Sequence, residues 1–423
     1  MPVGVFLIFY LGLGILFEYI MKIPMGFYNV PIVVAFLAAL LVACLQNRKV
    51  GFDEKLEIMG RGIGDKNIIT MLLIFLTAGT FVGVVGRSSA ESVAYFMLSI
   101  IPARFAVAVL FVVACFVSTA MGTSVGTITL LTPIAVAVSQ TSGFSLALCV
   151  ASVMGGSMFG DNLSFISDTT IAACNGQGCE MKDKFKANFL IVLPAAIVTI
   201  IIFLIITRNG NYEITEELTY NLWQVLPYIL VLVGALIGIN VFVVLISGTV
   251  LSLIVGVATG TLAVSEMFSV IGDGVTGMYD ITVISIVVAC IVSLVKEYGG
   301  IQFILNLIKS KISGRRGGEL GIAGLSLLVD ACTANNTVAI VMAGPIAKEI
   351  SEEFDIDPKR SASLLDIFTS VGQGLIPYGA QLLSAATLTA LTPFEIIPYL
   401  YYPIFMAISA ICFILFRKER KRM

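Results

Sequence analysis

Many apolar runs along this sequence approach the length of a helix that crosses a lipid bilayer. Leu190–Thr207 and Phe405–Phe416 are two of them. A spanning helix needs about 20 mostly apolar residues, so the runs predict roughly ten spans in the 423 residues of the chain. Hydrophobic residues make up 58% of the chain and charged residues only 12%, about half the charged share of a soluble domain. The sequence therefore predicts an all-α integral membrane protein.

A polar stretch, Gly160–Thr170, interrupts one of these runs. It holds two carboxylates, an amide and four hydroxyls, and it lies between the apolar segments Leu146–Met158 and Ile171–Cys174. An Asp at the centre of a spanning helix costs about 2.5–3.5 kcal/mol on insertion scales. Non-helical polar backbone is tolerated at membrane depth only where protein or water surrounds it. We interpret the stretch as an ion-binding break in a helix.

An internal repeat relates the two halves of the chain. The shift in numbering from Pro133 to Pro345, which we call the repeat offset, also aligns Gly160–Leu163 with Gly372–Leu375. The repeats are predicted at residues 1–208 and 221–423, each with about five spans. Because five is odd, the second copy is expected to be inverted in the membrane. Inverted repeats with re-entrant hairpins, broken helices and a midplane site are typical of secondary transporters.

Four polar points are expected to converge between the repeats: two hairpin tips at 122–127 and 333–337, and two breaks at 160–168 and 372–381. Unwound carbonyls and hydroxyls can replace the hydration shell of a hard cation such as sodium. The first half-site has the carboxylates that suit a cation or proton exchange, and its residues are Thr123, Ser124, Gly160, Asp161, Asn162, Ser167 and Asp168. The second is predicted to hold a second cation or a polar solute, and its residues are Asp330, Asn335, Asn336, Thr337, Gly372, Gln373, Tyr378 and Gln381.

Composition disfavours several other functions. The chain has no His, which removes the usual metal ligand, and its eight Cys are scattered and read as small buried side chains. No nucleophile or metal set accompanies the carboxylates, so we expect no enzyme activity, no cofactor beyond a coupling ion and no nucleic-acid partner. Basic segments, such as the one with Lys182, Lys184 and Lys186, are expected on the cytoplasmic side. This predicts a multi-pass protein of a bacterial inner membrane with both termini cytoplasmic.

The segment Gly160–Asp161–Asn162, followed by Ile166–Thr170, resembles a long motif of the NhaC family of sodium/proton antiporters. Gly122–Thr127 is similar to the first hairpin tip of that family, and the likeness in order and spacing extends from about Asp65 to Pro398. The resemblance implies that Thr123, Ser124, Asp161, Asn162, Ser167 and Asp168 form a sodium or proton site, with sodium at Asp161 and Asp168. Phe165 stands where the family usually has Pro, which leaves the choice of solute open.

The resemblance also implies an elevator-type homodimer. Its mobile transport part would comprise about residues 101–186 and 320–392, and its scaffold about residues 1–66 and 221–279. Members of the family also move small carboxylates and amino acids, so the resemblance alone does not decide the solute.

Two functions stay open on the sequence. The first is sodium/proton antiport by alternating access. The second is sodium- or proton-coupled transport or exchange of an amino acid or small carboxylate, in which Asn335, Asn336, Gln373 and Tyr378 would contact the solute. A channel is disfavoured, because inverted repeats with paired re-entrant tips suit alternation between two openings.

Overall fold

Helices account for all the regular secondary structure in the computed structural model, which describes residues 2–22, 31–164, 167–208, 220–237, 239–300, 303 and 313–416. The helices of the first half are α1 (Pro2–Ile15), α2 (Ile32–Leu45), α3 (Phe52–Ile63), α4 (Lys66–Ile100), α5 (Ala106–Met121), α6 (Ser124–Ser142), α7 (Leu146–Leu163), α8 (Asp168–Gln177) and α9 (Met181–Ile206). Those of the second half are α10 (Leu222–Leu236), α11 (Val241–Ala258), α12 (Met267–Thr276), α13 (Tyr279–Glu297), α14 (Gly314–Thr333), α15 (Asn336–Glu353), α16 (Pro358–Leu375), α17 (Ala380–Thr389), the short α18 (Pro393–Ile396) and α19 (Tyr401–Phe416).

Several of these helices are long and apolar enough to cross a membrane. Within the described residues they number four, or up to six if each of two sharply bent helix pairs is one span. Shorter apolar helices of 10–17 residues, such as Val33–Leu45 and Tyr401–Phe416, fall below that length. The roughly ten spans expected from the sequence therefore exceed what helix length identifies by itself.

Helix ends recur at the repeat offset predicted from the sequence. The helix α7 ends at Leu163 and α16 at Leu375, while α8 begins at Asp168 and α17 at Ala380. Both pairs are separated by the same interval as Pro133 and Pro345. The two halves thus break a long helix at equivalent positions.

The hairpin tips also match. Gly122 and Ala334 end the first helix of each hairpin in the left-handed region, with φ of 67° and 50°. A left-handed residue at this position is the usual helix terminator, and Gly adopts it at the lowest cost. The side chains of Thr123 and Asn335 then cap the next helix, accepting the backbone N–H groups of Gly126 and Val338 at 3.3 and 3.0 Å. The tips are therefore tighter than predicted, because 124–127 and 336–337 already belong to helices α6 and α15.

The helix breaks are shorter than predicted as well. Gly160–Leu163 and Gly372–Leu375 are the last turns of α7 and α16, so only 164–167 and 376–379 separate the half-helices. The backbone N–H of Ser164 still bonds the carbonyl of Asp161 at 3.2 Å, after which Ser164 turns to extended backbone. Phe165 and Ile166, including the departure from the family motif, lie outside the described residues.

The half-helices α7 and α16 lie at the centre of the molecule. All residues from Arg360 to Gly374 are buried, as are those from Ala147 to Asn162 apart from Phe159. Close approach of α7 to α5 depends on glycine: a Cβ at Gly160 would lie 2.4 Å from the carbonyl oxygen of Cys115. A helix buried on all sides in this way holds its polar side chains away from lipid. The polar residues at the two breaks are thus enclosed by protein.

Candidate functional site

Asp161 lies at the centre of the first polar cluster. Its carboxylate is only 5% exposed and sits in the last turn of α7. The hydroxyl of Ser167, just beyond the break, donates to Asp161 Oδ1 at 2.7 Å, and the hydroxyl of Ser124 at the hairpin tip donates to Oδ2 at 3.1 Å. Hydroxyl bonds of this kind only partly offset the cost of burying a charge. The geometry therefore favours a cation or proton at this carboxylate.

The second half of the chain completes this cluster through Gln381. Its side-chain Nε2 donates to Ser124 Oγ at 2.9 Å, although the sequence assigned Gln381 to the second half-site. Its Oε1 is buried and has no hydrogen-bond partner among the described residues. Thr169 Oγ1 lies 2.8 Å from Ser167 Oγ on the other side. The Asp161 carboxylate, the hydroxyls of Ser124 and Ser167 and the side-chain amide of Gln381 thus form one connected cluster where the two halves of the chain meet.

Asp168 differs from Asp161 in its surroundings. It is the first residue of α8 and is exposed, whereas Asp161 is buried. In the part of the chain that the structure describes, no hydrogen bond joins it to the Asp161 cluster. A carboxylate in the first helical turn is favoured by the helix dipole. Sodium held by both carboxylates stays a prediction, and the described contacts centre on Asp161.

Three other residues predicted for the first half-site make contacts elsewhere. Thr123 caps α6, and Gly160 permits the approach of α5. The side-chain Nδ2 of Asn162 donates to the carbonyl of Met158 at 2.9 Å and to Ser370 Oγ on α16 at 3.1 Å. These residues shape the break, while Ser124 and Ser167 contact the carboxylate.

Asp330 is the most unusual polar side chain of the second half-site. It is fully buried on α14, and neither carboxylate oxygen has a hydrogen-bond partner among the described residues. It adjoins Gly372 closely, since a Cβ at that position would lie 2.6 Å from Asp330 Oδ2. An unpaired buried carboxylate costs several kcal/mol in a structural role. The arrangement favours a functional carboxylate that takes up a proton or cation.

Gln373 and Tyr378 bind the backbone of the second hairpin near its tip. Gln373 Nε2 donates to the carbonyl of Ala334 at 3.1 Å, and its buried Oε1 has no partner within the described ranges. The hydroxyl of Tyr378 donates to the carbonyl of Ala331 at 2.7 Å. Asn336 Oδ1 accepts the backbone N–H of Thr337 at 3.0 Å, as an additional cap of α15. Asp330, Gly372 and Gln373 therefore come together, while Asn335, Asn336 and Thr337 form the turn.

The sequence did not identify a third polar cluster around Lys184. This residue was assigned to a cytoplasmic basic loop, but it lies in the first turn of α9 and is 1% exposed. Its ammonium is 2.6 Å from Asp366 Oδ2 on α16. Asn188 Nδ2, one turn along α9, donates to the same oxygen at 2.9 Å. A signal was present, because Lys184 and Asn188 share a helical face with the buried apolar residues that follow them.

A cavity of about 250 Å³ borders the second hairpin tip. Its lining includes charged side chains from α3, from the residue before α4 and from the end of α13, together with polar groups at or near the second hairpin tip: Arg61, Asp65, Lys296, Glu297, Thr333, Asn335 and Tyr378. No group of three or more His, Cys, Asp or Glu residues suited to a metal ion occurs in the described part of the chain.

The chain is similar in sequence to known sodium/proton antiporters. The sequence profile of the Na+/H+ antiporter family matches residues 4–207 and 213–417. The NhaC Na+/H+ antiporter of Alkalihalophilus pseudofirmus is 24% identical over 424 residues, which cover 92% of this chain and 89% of that protein. The malate-2H+/Na+-lactate antiporter of Bacillus subtilis is 21% identical over 415 residues, which cover 89% and 87%.

A solved structure, that of the YdaH transporter of Alcanivorax borkumensis, matches with a TM-score of 0.42 at 13% identity and covers 83% of this chain and 89% of that one. At this score and identity the likeness is distant. The family profile, in contrast, spans nearly the whole chain in two consecutive segments. The protein is a multi-pass membrane transporter that belongs to the Na+/H+ antiporter (NhaC) family.

Proposed function

We propose that this protein is a sodium-coupled secondary transporter that exchanges sodium for protons. The observation that carries the proposal is the buried Asp161 carboxylate, which is contacted by Ser124 and Ser167 and linked through Ser124 to Gln381. Sodium requires oxygen ligands and a compensating negative charge, and both are available at this point. No cofactor is needed beyond the coupling ion.

Exchange follows from competition for one carboxylate. Sodium needs the ionised form of Asp161, whereas a bound proton removes the charge that holds sodium. A buried charge without compensation is costly. The site is therefore expected to reorient when it holds sodium or a proton, but not when it is empty. Alternation between the two membrane faces then couples one flux to the other.

The proposed architecture is an elevator built from two inverted repeats. Equivalent helix ends at the repeat offset support a repeat, and the odd number of spans expected in each half supports its inversion. The mobile part would comprise about residues 101–186 and 320–392, with residues 1–66 and 221–279 as the scaffold of a homodimer. A bacterial inner membrane with both termini cytoplasmic is part of the same proposal.

A second candidate is coupled transport of a small carboxylate or amino acid. The 250 Å³ cavity favours it, because Arg61 and Lys296 could attract a carboxylate and Asn335 and Tyr378 could hydrogen-bond a polar solute. The relative from Bacillus subtilis, whose name specifies malate and lactate, supports this alternative at the level of the family.

Proteoliposomes with a sodium gradient and an internal pH indicator would test the proposal. Antiport predicts a sodium-driven change of internal pH without any added solute. No pH change, together with sodium-dependent uptake of a labelled carboxylate or amino acid, would support the second candidate instead. Liposomes that contain the Asp161→Asn variant provide the matched control and should give no sodium-driven signal.

A further inference from the structure

The ammonium group of Lys184 is enclosed by oxygen atoms from three helices. Besides the ion pair with Asp366 at 2.6 Å, it donates to Thr170 Oγ1 at 2.7 Å and to the carbonyl of Asn162 at 3.0 Å. A lysine ammonium has three donors, and each of them has an oxygen partner here. Because the side chain is 1% exposed, this cage is closed to bulk water.

The cage uses the same helix break as the proposed sodium site. Asp161 directs its carboxylate to Ser124 and Ser167, while the carbonyl of the next residue, Asn162, accepts from Lys184. A carboxylate, a hydroxyl and a carbonyl at the C-terminal end of a half-helix are ligand types that coordinate sodium at broken transporter helices. In its chemistry the cage is therefore a cation site, and its cation is covalently attached to α9.

Near the two helix breaks, buried carboxylates outnumber buried cations among the described residues. Asp161, Asp330 and Asp366 are buried carboxylates, and Lys184 is the buried cation that pairs with one of them in the described residues. Glu319 and Arg360 form a separate buried pair at 3.1 Å. Asp161 and Asp330 are thus left for exchangeable ions or protons, since an uncompensated buried charge is strongly unfavourable.

We propose that Lys184 is a resident cation in a third cation site, where its ammonium takes the place of a sodium ion. Asp161, Asp330 and Asp366 could together bind three cations. Because Lys184 occupies the site at Asp366, the number of cations carried in each cycle is one lower. This inference rests on the proposed cation transport. It applies once per chain, because the positions equivalent to Lys184 and Asp366 at the repeat offset are the buried apolar residues Ile396 and Met154.

The test replaces the resident cation by a neutral side chain of similar length, Lys184→Met. Asp366, Thr170 and the carbonyl of Asn162 would then surround an unfilled position. Binding of radioactive sodium to the purified full-length protein is expected to rise by one ion per chain relative to the wild type. The matched control is the double variant Lys184→Met/Asp366→Asn, which removes both charges and is expected to bind the same number of sodium ions as the wild type.

Each outcome bears on the inference. Equal sodium binding by Lys184→Met and the wild type would overturn it, and so would an extra ion that persists in the double variant. If Lys184→Met unfolds in choline chloride but is recovered folded in sodium chloride, sodium has filled the cage and the inference is supported. Equal loss in both salts would refute it. A wild type that binds no sodium would instead contradict the proposed function, whatever the variant gains.

Discussion

Replacement of Asp161 by Asn is expected to weaken sodium binding about a thousandfold. The side chain keeps its shape and can still contact Ser124 and Ser167, so the loss reports on charge. Asp161 is only 5% exposed, so water screens its charge poorly. Two unit charges about 4 Å apart attract by about 4 kcal/mol at an effective dielectric constant of about 20. Each 1.4 kcal/mol is about tenfold in affinity, which gives roughly three orders of magnitude.

Asp168→Asn is the matched control, because it makes the same chemical change on the other side of the helix break. Asp168 is exposed, and exposed charge pairs contribute about 0.2–1 kcal/mol, which is at most about fivefold in affinity. The assay is thermal stabilisation of the purified protein by sodium, since a ligand that binds only the folded state raises its apparent stability. Choline chloride replaces sodium chloride so that ionic strength stays constant.

The two variants separate the possible positions of the ion. The measured quantity is the sodium concentration that gives half of the maximal thermal stabilisation. The site described above predicts a thousandfold rise in this concentration for Asp161→Asn and a small rise for Asp168→Asn. The reverse order would move the ion to Asp168. Equal, small shifts in both variants would show that neither carboxylate provides the main charge for sodium.

Three further substitutions test other contacts. Asp330→Leu should raise the melting temperature, because it removes an unpaired buried carboxylate that costs about 1–3 kcal/mol. The same variant should sharply reduce sodium-driven proton flux in liposomes. Normal flux would exclude Asp330 from coupling. Gly160→Ala should lower the free energy of unfolding by about 1–3 kcal/mol, since its Cβ would lie 2.4 Å from the carbonyl of Cys115, and an unchanged melting temperature would contradict this close approach. Gln381→Leu removes one neutral hydrogen bond to Ser124, worth about 1 kcal/mol, so sodium affinity should fall about fivefold; a variant that binds sodium as well as the wild type would show that this link between the halves is dispensable.

The two helix breaks and their spacing were predictable because they leave local signals in the sequence. The repeat offset that aligns Gly160–Leu163 with Gly372–Leu375 also aligns the observed helix ends. The predicted lengths of the breaks are wrong, because the polarity of a residue does not show whether it lies before or after the end of a helix. Asp161 and Gln373 instead occupy the last turns of α7 and α16, where backbone hydrogen bonds continue to the terminus.

Contacts between segments that are distant in the chain could not be predicted from the sequence. Lys184 was grouped with its basic neighbours, and its partner Asp366 lies in the other half of the chain. Gln381 was placed at the second half-site from its position in the second repeat, yet it reaches Ser124 in the first. Only the way in which the half-helices pack together brings such residues within hydrogen-bonding distance.

The position of the bound ion tests the central claim most directly. Crystals of the protein soaked in thallium(I), a heavy monovalent cation, would reveal the ion by its anomalous scattering. We predict a peak within coordination distance of the Asp161 carboxylate and the hydroxyls of Ser124 and Ser167. A peak confined to other parts of the protein, or none in crystals of active protein, would contradict a transport site at this break.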